Sequence, residues 1–169
     1  MMIRTGYQDW RQDNPAWNKT EAWPPSQFPE ADYTFFRDAG CLVCSLAVML
    51  RHCGLEQSEE FNPWVLNRKL AACGAFTPAA NLDLRRVGNL YPLDYQPPLP
   101  WSRDALEQIA GNGSPCLVTV PGVHAPKHFL TFLDLLPEDA AVFDPLLGET
   151  RLSRYPEVCG LRWFRIRKA

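Results

Sequence analysis

Cys41 is the residue with the most chemical promise in this chain. It follows Asp38-Ala39-Gly40 and opens the apolar run CLVCSLAVMLRHC, residues 41–53. If that run is a helix, the thiol sits beside the positive end of the helix dipole and unpaired backbone N–H groups. Both favour the thiolate, which is the nucleophilic form. Gly40 lets the backbone bend and leaves the sulfur open to approach. The same amides could hold an oxyanion. Most cysteines at a helix start are inert, so the chemistry depends on finding a base.

The chain has three histidines. His52 closes the same helix, about 16 Å from Cys41 along the axis. That is too far to serve Cys41, and a helix C-terminus is an ordinary place for a cation. His124 lies in the Pro- and Gly-rich loop 121–127, whereas His128 opens the run HFLTFLDLL. A base on a rigid strand end is better held than one on a loop, so His128 is preferred to His124. Asp144 ends the next strand-like run. Across an antiparallel hairpin, the end of one strand lies near the start of its partner. An acid there would fix the imidazole tautomer and stabilise the imidazolium. Its plainer role would be to cap the Asp144-Pro145 turn. Cysteine, then histidine on a strand, then an acid is the order used by papain-like peptidases.

These residues need elements to position them. In 41–53 the rows Leu42–Leu46–Met49–Cys53 and Val43–Ala47–Leu50 follow helical spacing, and Gly54 supplies a stop. This is the expected central buried helix. A second helix starts at Asn62 as cap with Pro63 in the first turn, carries Trp64, Leu66 and Leu70, and stops at Gly74. A third, short one is expected over 103–110, capped by Ser102 and followed by Gly111. After Pro115 the pattern changes. The runs 116–120, 128–136, 140–143 and 161–166 read as strands, with Pro137-Glu138-Asp139 joining two of them tightly. DPLLGET (144–150) reads as a loop with Gly148 as its turn residue. Residues 1–39 show no clear helix. They read as an extended lead-in anchored on the domain by Trp10, Trp17 and Trp23.

The expected fold is therefore α+β in one domain, residues 1–169: the lead-in 1–39, a helical half 40–111 with the nucleophile on its central helix, and an antiparallel sheet half 115–167. The length of 169 residues suffices to bury a core, and 46% hydrophobic with 21% charged residues fits a globular protein. A formal net charge of −2 without like-charge blocks speaks against a nucleic-acid partner. No run is long and apolar enough to span a bilayer, and the first residues lack a signal-peptide core. A cytoplasmic site of synthesis is expected, with release on lysis or incorporation into a particle as further settings. The six cysteines, 41, 44, 53, 73, 116 and 159, are then mostly reduced, and the last four read as small buried hydrophobes.

On these residues the chain resembles a known family. Gly40-Cys41 followed by Ser45-Leu46-Ala47 is similar to the catalytic helix of papain-like cysteine peptidases of the bacteriocin-leader-peptidase type, family thirty-nine, in its soluble bacterial and phage branch. Gln12-Asp13 with Trp17 resembles that branch's Gln-Asp-x-x-x-Trp element, and Asn62-Pro63 with Leu66-Asn67 its second helix. Gly113-Ser114-Pro115 before a strand, His128-Phe129, and Asp144-Pro145 with Gly148 and Tyr155 resemble its C-terminal segments. The resemblance spans residues 12–155. It departs at Leu42, where the family often has Gly or Ala, at Cys44, where Thr or Ala is usual, and over 75–100. The stretch YPLDYQPPLP (91–100) is a candidate wall of the substrate cleft.

The resemblance implies a peptidase or amidase with Cys41 as nucleophile, His128 as base, Asp144 orienting it and Gln12 as oxyanion donor, with Gln8 and Gln27 as substitutes for Gln12. No metal or organic cofactor is required. Expected substrates are peptidoglycan peptides or a protein precursor. Three rivals stand beside this. Cys41-x-x-Cys44 has the spacing of half a zinc site or of a redox dithiol, but no second Cys-x-x-Cys follows and no βαβ pattern precedes it. The same fold with its catalysis lost would be a binding or structural module, such as a component of a phage particle.

Overall fold

In the computed structural model, residues 6–24, 26–32, 35–122 and 126–168 are described. The apolar run becomes helix α2, Cys41–His52, in which every residue from Val43 to Leu50 is buried. Such a helix cannot lie on a surface, and it forms the spine of the larger core cluster. The cap residues act as read from their chemistry. The Asn62 side chain accepts from the Val65 N–H at the start of α3, Pro63–Ala72. The Ser102 side chain accepts from the Ala105 N–H at the start of α4, Arg103–Gly111. Gly111 is thus the last residue of α4 rather than the one after it.

The strands are β1 (Leu93–Tyr95), β2 (Leu99–Pro100), β3 (Cys116–Pro121), β4 (Lys127–Leu136), β5 (Asp139–Asp144), β6 (Gly148–Arg151) and β7 (Gly160–Ile166). They form one antiparallel sheet in the order β1-β7-β3-β4-β5-β6, with β2 also paired to β7. The fold is α+β. Alternation along each strand divides the sheet's two faces. Leu117, Phe143 and Phe164 join the cluster around α2, while Val118, Val142 and Leu161 join a second cluster with Leu106 and Ile109 of α4. The helices thus cover both faces, and α4 leaves the other helices to lie on the far side. A helical half packed on a sheet half is too simple a description.

Two other expectations change. The loop 144–150 contains the start of β6, because Gly148 at φ 86° turns the chain back to pair with β5. The lead-in holds a 3₁₀ turn, Gly6–Trp10, and a short helix α1, Phe36–Ala39. It is tied down as expected: Trp17 and Trp23 are buried, and Trp23 stacks on Phe36 with ring centroids 6.0 Å apart. No helix among the described residues is long and apolar enough to cross a membrane.

Candidate active site

Two buried polar side chains set α2 against β4. The Ser45 hydroxyl donates to the Phe129 carbonyl at 2.7 Å, and the Thr131 hydroxyl donates to the Ser45 carbonyl at 2.6 Å. Neither residue is exposed. Buried hydroxyls need partners, so this reciprocal pair fixes both the rotation of α2 and its position along the strand. Cys41 lies one turn before Ser45, and His128 one residue before Phe129. The pins therefore bring the first residue of the helix to the start of the strand.

Gly40 makes that approach feasible. A Cβ there would stand 2.5 Å from the Phe36 carbonyl oxygen and under 3 Å from the Phe36 ring, so α1 and α2 meet at a point only glycine fits. Cys41 keeps part of its surface exposed, while Cys44 is fully buried. Burial, and then the charges of Cys41 and Asp13, push the Cys44 thiol well above its ordinary value. The two thiols of the Cys-x-x-Cys spacing are thus unlike, and both are free.

His128 Nε2 lies 2.7 Å from Asp144 Oδ1, with 12% and 4% of the respective side chains exposed. Cys41 lies close enough to act on the imidazole electrostatically. With Nε2 on the carboxylate, Nδ1 is the nitrogen left for sulfur. Burial pulls the imidazole's pKa down, but the hydrogen bond to Asp144 and the charges of Asp144 and Cys41 outweigh it and raise it to about 9. Burial likewise works to raise the Asp144 carboxyl. Donation from His128, Tyr155 and the Leu146 N–H holds it below its ordinary value.

Gln12 is buried at 3% exposure between two parts of this site. Its backbone N–H donates to the Pro145 carbonyl at 2.9 Å, and its Nε2 donates to the Arg37 carbonyl at 2.5 Å in α1, just before Cys41. Its Oε1 has no partner. Gln8 instead lies over Gly148, and Gln27 is exposed beside Trp64 in a separate groove. His52 Nε2 meets the Leu133 carbonyl at 2.9 Å, at the far end of α2. His124 lies outside the described residues.

A cavity of about 160 Å³ adjoins Cys41, walled by Trp23, Leu42, Phe76, Leu82 and Phe129 with Lys127. Two of these walls come from the segment 75–100, but the Pro-rich stretch 91–100 does not line the cavity. Its residues form β1 and β2 against β7 instead. Among the described residues, no group of three or more His, Cys, Asp or Glu side chains is placed to hold a metal ion.

Of the residues expected from the sequence, the structure hydrogen-bonds His128 to Asp144, sets Gln12 between Pro145 and Arg37, and leaves Cys41 on the adjoining cavity. Sequence reasoning missed Ser45 and Thr131 as the pins. Their signal was present: each is a polar residue inside an otherwise apolar run. It also gave no role to Tyr155, whose hydroxyl donates to Asp144 Oδ2. No protein-family model matches the chain, and no curated protein matches it significantly.

Proposed function

We propose that this chain is a papain-like cysteine peptidase or amidase. The observation that carries the reading is the imidazole of His128, which is held by the buried Asp144 carboxylate and stands on the strand to which Ser45 pins the helix that opens with the partly exposed Cys41. An imidazole that keeps its proton to about pH 9 suits a thiolate–imidazolium pair at neutral pH.

In this reading the thiol proton rests on His128 Nδ1, and Cys41 sulfur attacks the carbonyl carbon of the scissile amide. The oxyanion that forms is met by the backbone N–H of Cys41 and by the second N–H of the Gln12 amide, donors typically worth about 3–4 kcal/mol each. His128 then protonates the leaving amine, and water, giving up a proton to the same imidazole, releases the acyl group from sulfur. The apolar cavity beside Cys41 receives a side chain flanking the scissile bond. Peptidoglycan peptides and protein precursors are the substrates this reading favours, with lysis or a phage particle as the setting in which the enzyme would meet them.

The test is alkylation of each cysteine as a function of pH, mapped by mass spectrometry, on wild type and on His128→Ala. Selective labelling of Cys41 near pH 6 that is lost in His128→Ala is the expected result. A Cys41 that stays unlabelled at every pH until the protein unfolds would sink the reading and leave a binding or structural module on this fold.

A further inference from the structure

We infer that Tyr155 is a positioning member of this site: its hydroxyl holds one oxygen of the Asp144 carboxylate so that the other stays aimed at His128. The inference rests on the reading of His128 and Asp144 as the base and its orienting acid.

Asp144 is 2% exposed, and its carboxylate takes three donors. Oδ1 accepts from His128 Nε2 at 2.7 Å and from the Leu146 N–H at 2.7 Å. Oδ2 accepts from the Tyr155 hydroxyl. The first two donors share one oxygen, and the torsion that turns a carboxylate is soft. Two donors on Oδ1 leave the plane of the group poorly fixed. A donor on Oδ2 defines it.

Tyr155 is itself held from the other end of β5. Asp139, the first residue of that strand, accepts from the Ser153 N–H at 2.9 Å and the Ser153 hydroxyl at 2.7 Å. Ser153 lies in the 3₁₀ turn Leu152–Arg154, and the Tyr155 N–H closes that turn on the Leu152 carbonyl at 3.0 Å. The acids at both ends of β5 thus grip the same returning segment, Asp139 by its turn and Asp144 by the phenol that follows.

The charged and titratable groups facing this arrangement are few. His128 meets Asp144 from β4, Cys41 meets His128 from α2, and Arg154 acts on the phenol from the 3₁₀ turn. Burial, then the hydrogen bond to Asp144 and its charge, raises the phenol's pKa, with Arg154 opposing. The hydroxyl therefore stays a donor across the neutral range. Removing it takes one stabilising donor from a buried anion, so the carboxyl should take up a proton at higher pH and release its hold on the imidazole from the acid side.

The experiment uses the full chain and needs no substrate. The ring signals of His128 are followed by NMR from acid to neutral pH in wild type, Tyr155→Phe, Asp144→Asn and the double variant. Cys41 alkylation by iodoacetamide is measured at pH 5 and pH 7 on each, with His128→Ala as control. In Tyr155→Phe the acid-side inflection that reports Asp144 should rise by about one pH unit or more. The pH 5 to pH 7 alkylation ratio should fall several-fold. With Asp144→Asn present, the tyrosine change should add nothing. Ser153→Ala, which loosens the turn, should shift the inflection the same way by less, and stands in if Tyr155→Phe does not fold. A folded Tyr155→Phe with an unmoved inflection overturns the inference, whatever Cys41 does. Cys41 labelling that ignores His128→Ala instead overturns the catalytic reading, and the NMR inflection still decides the role of Tyr155.

Discussion

Each end of α2 has a cysteine and a histidine nearby, and the two ends differ in what surrounds them. At the N-terminal end Cys41 meets His128 of β4. At the C-terminal end His52 and Cys53 stand together, and His52 reaches the carbonyl of Leu133 on the same strand. At the first end the histidine's outer partner is a buried carboxylate; at the second it is a neutral backbone carbonyl. The helix field also reverses between the two ends, and at the C-terminal end it opposes a thiolate at Cys53. The Cys53 thiol donates to the Leu50 carbonyl, and burial raises its pKa. Cysteine beside histidine is therefore not a reactive pair by itself. On the proposed reading, the acid behind His128 and the helix end beneath Cys41 set the two pairs apart.

Removing the acid should break the contrast most completely. Asp144→Ala strips His128 of its partner and leaves the Tyr155 hydroxyl and the Leu146 N–H without theirs. Loss of one member of a buried pair costs about 3–5 kcal/mol, read as a lower urea midpoint. Any amidase activity should fall roughly 10²–10⁴-fold, the range for a displaced general base. His52→Ala, at the other end, should change neither Cys41 labelling nor hydrolysis. If it does, the two ends are coupled and the comparison fails.

The pH dependence of stability should separate the ends next. In the unfolded chain an imidazole gives up its proton near pH 6.5, and in the folded protein His128 does so near pH 9. Below 6.5 both states hold the proton and the stabilisation is complete. Between 6.5 and 9 the folded state binds more protons than the unfolded one, so stability falls as pH rises, and above 9 this contribution is gone. The total is about 3 kcal/mol. Urea unfolding of wild type at pH 6, 7.5 and 9 should show the decline, and His128→Ala should lack it. Equal slopes for the two proteins would mean that His128 is not held as the structure shows.

The pins on α2 come third. Thr131→Val keeps shape and removes one hydroxyl, and Ser45→Ala removes the other. Each should cost about 1 kcal/mol. Both pins lie nearer Cys41 than His52, so the Cys41 end should loosen while the His52–Leu133 contact holds. About tenfold slower Cys41 alkylation in either variant, with an unchanged His52 NMR signal, is the expected outcome. An equal disturbance of both ends would show that the pins set only overall stability.

The legible parts of the molecule were those with local causes. Asn62 and Ser102 announce helix starts because a side-chain oxygen three residues upstream of a backbone N–H is a local geometry. Cys41 and His128 could be chosen because a helix start and a strand start are visible in apolar periodicity. What stayed hidden depended on partners distant in the chain. β1 and β2 are short, Pro-flanked pieces that become strands only because β7 lies beside them. Gln12 could not be separated from Gln8 and Gln27, since only the folded lead-in brings it between Pro145 and Arg37. Ser45 and Thr131 find each other across 86 residues.

The smallest effect concerns Cys53, and it tests the comparison at its quieter end. Burial raises the Cys53 thiol, while nearby backbone groups of Leu55 and Cys53 only partly offset it. A raised thiol stays protonated through the neutral range, and thiolate is the form that alkylates. Cys53 should therefore label slowly at pH 7 and speed up only beyond the ordinary thiol range, with no change in His52→Ala. Cys53→Ala should cost no more than about 1 kcal/mol, because the lost contact is a weak sulfur–carbonyl bond, and should leave Cys41 labelling intact. If Cys53 instead labels at pH 6 alongside Cys41, the helix dipole and the carboxylate are not what distinguishes the two sulfurs, and accessibility alone would have to account for both.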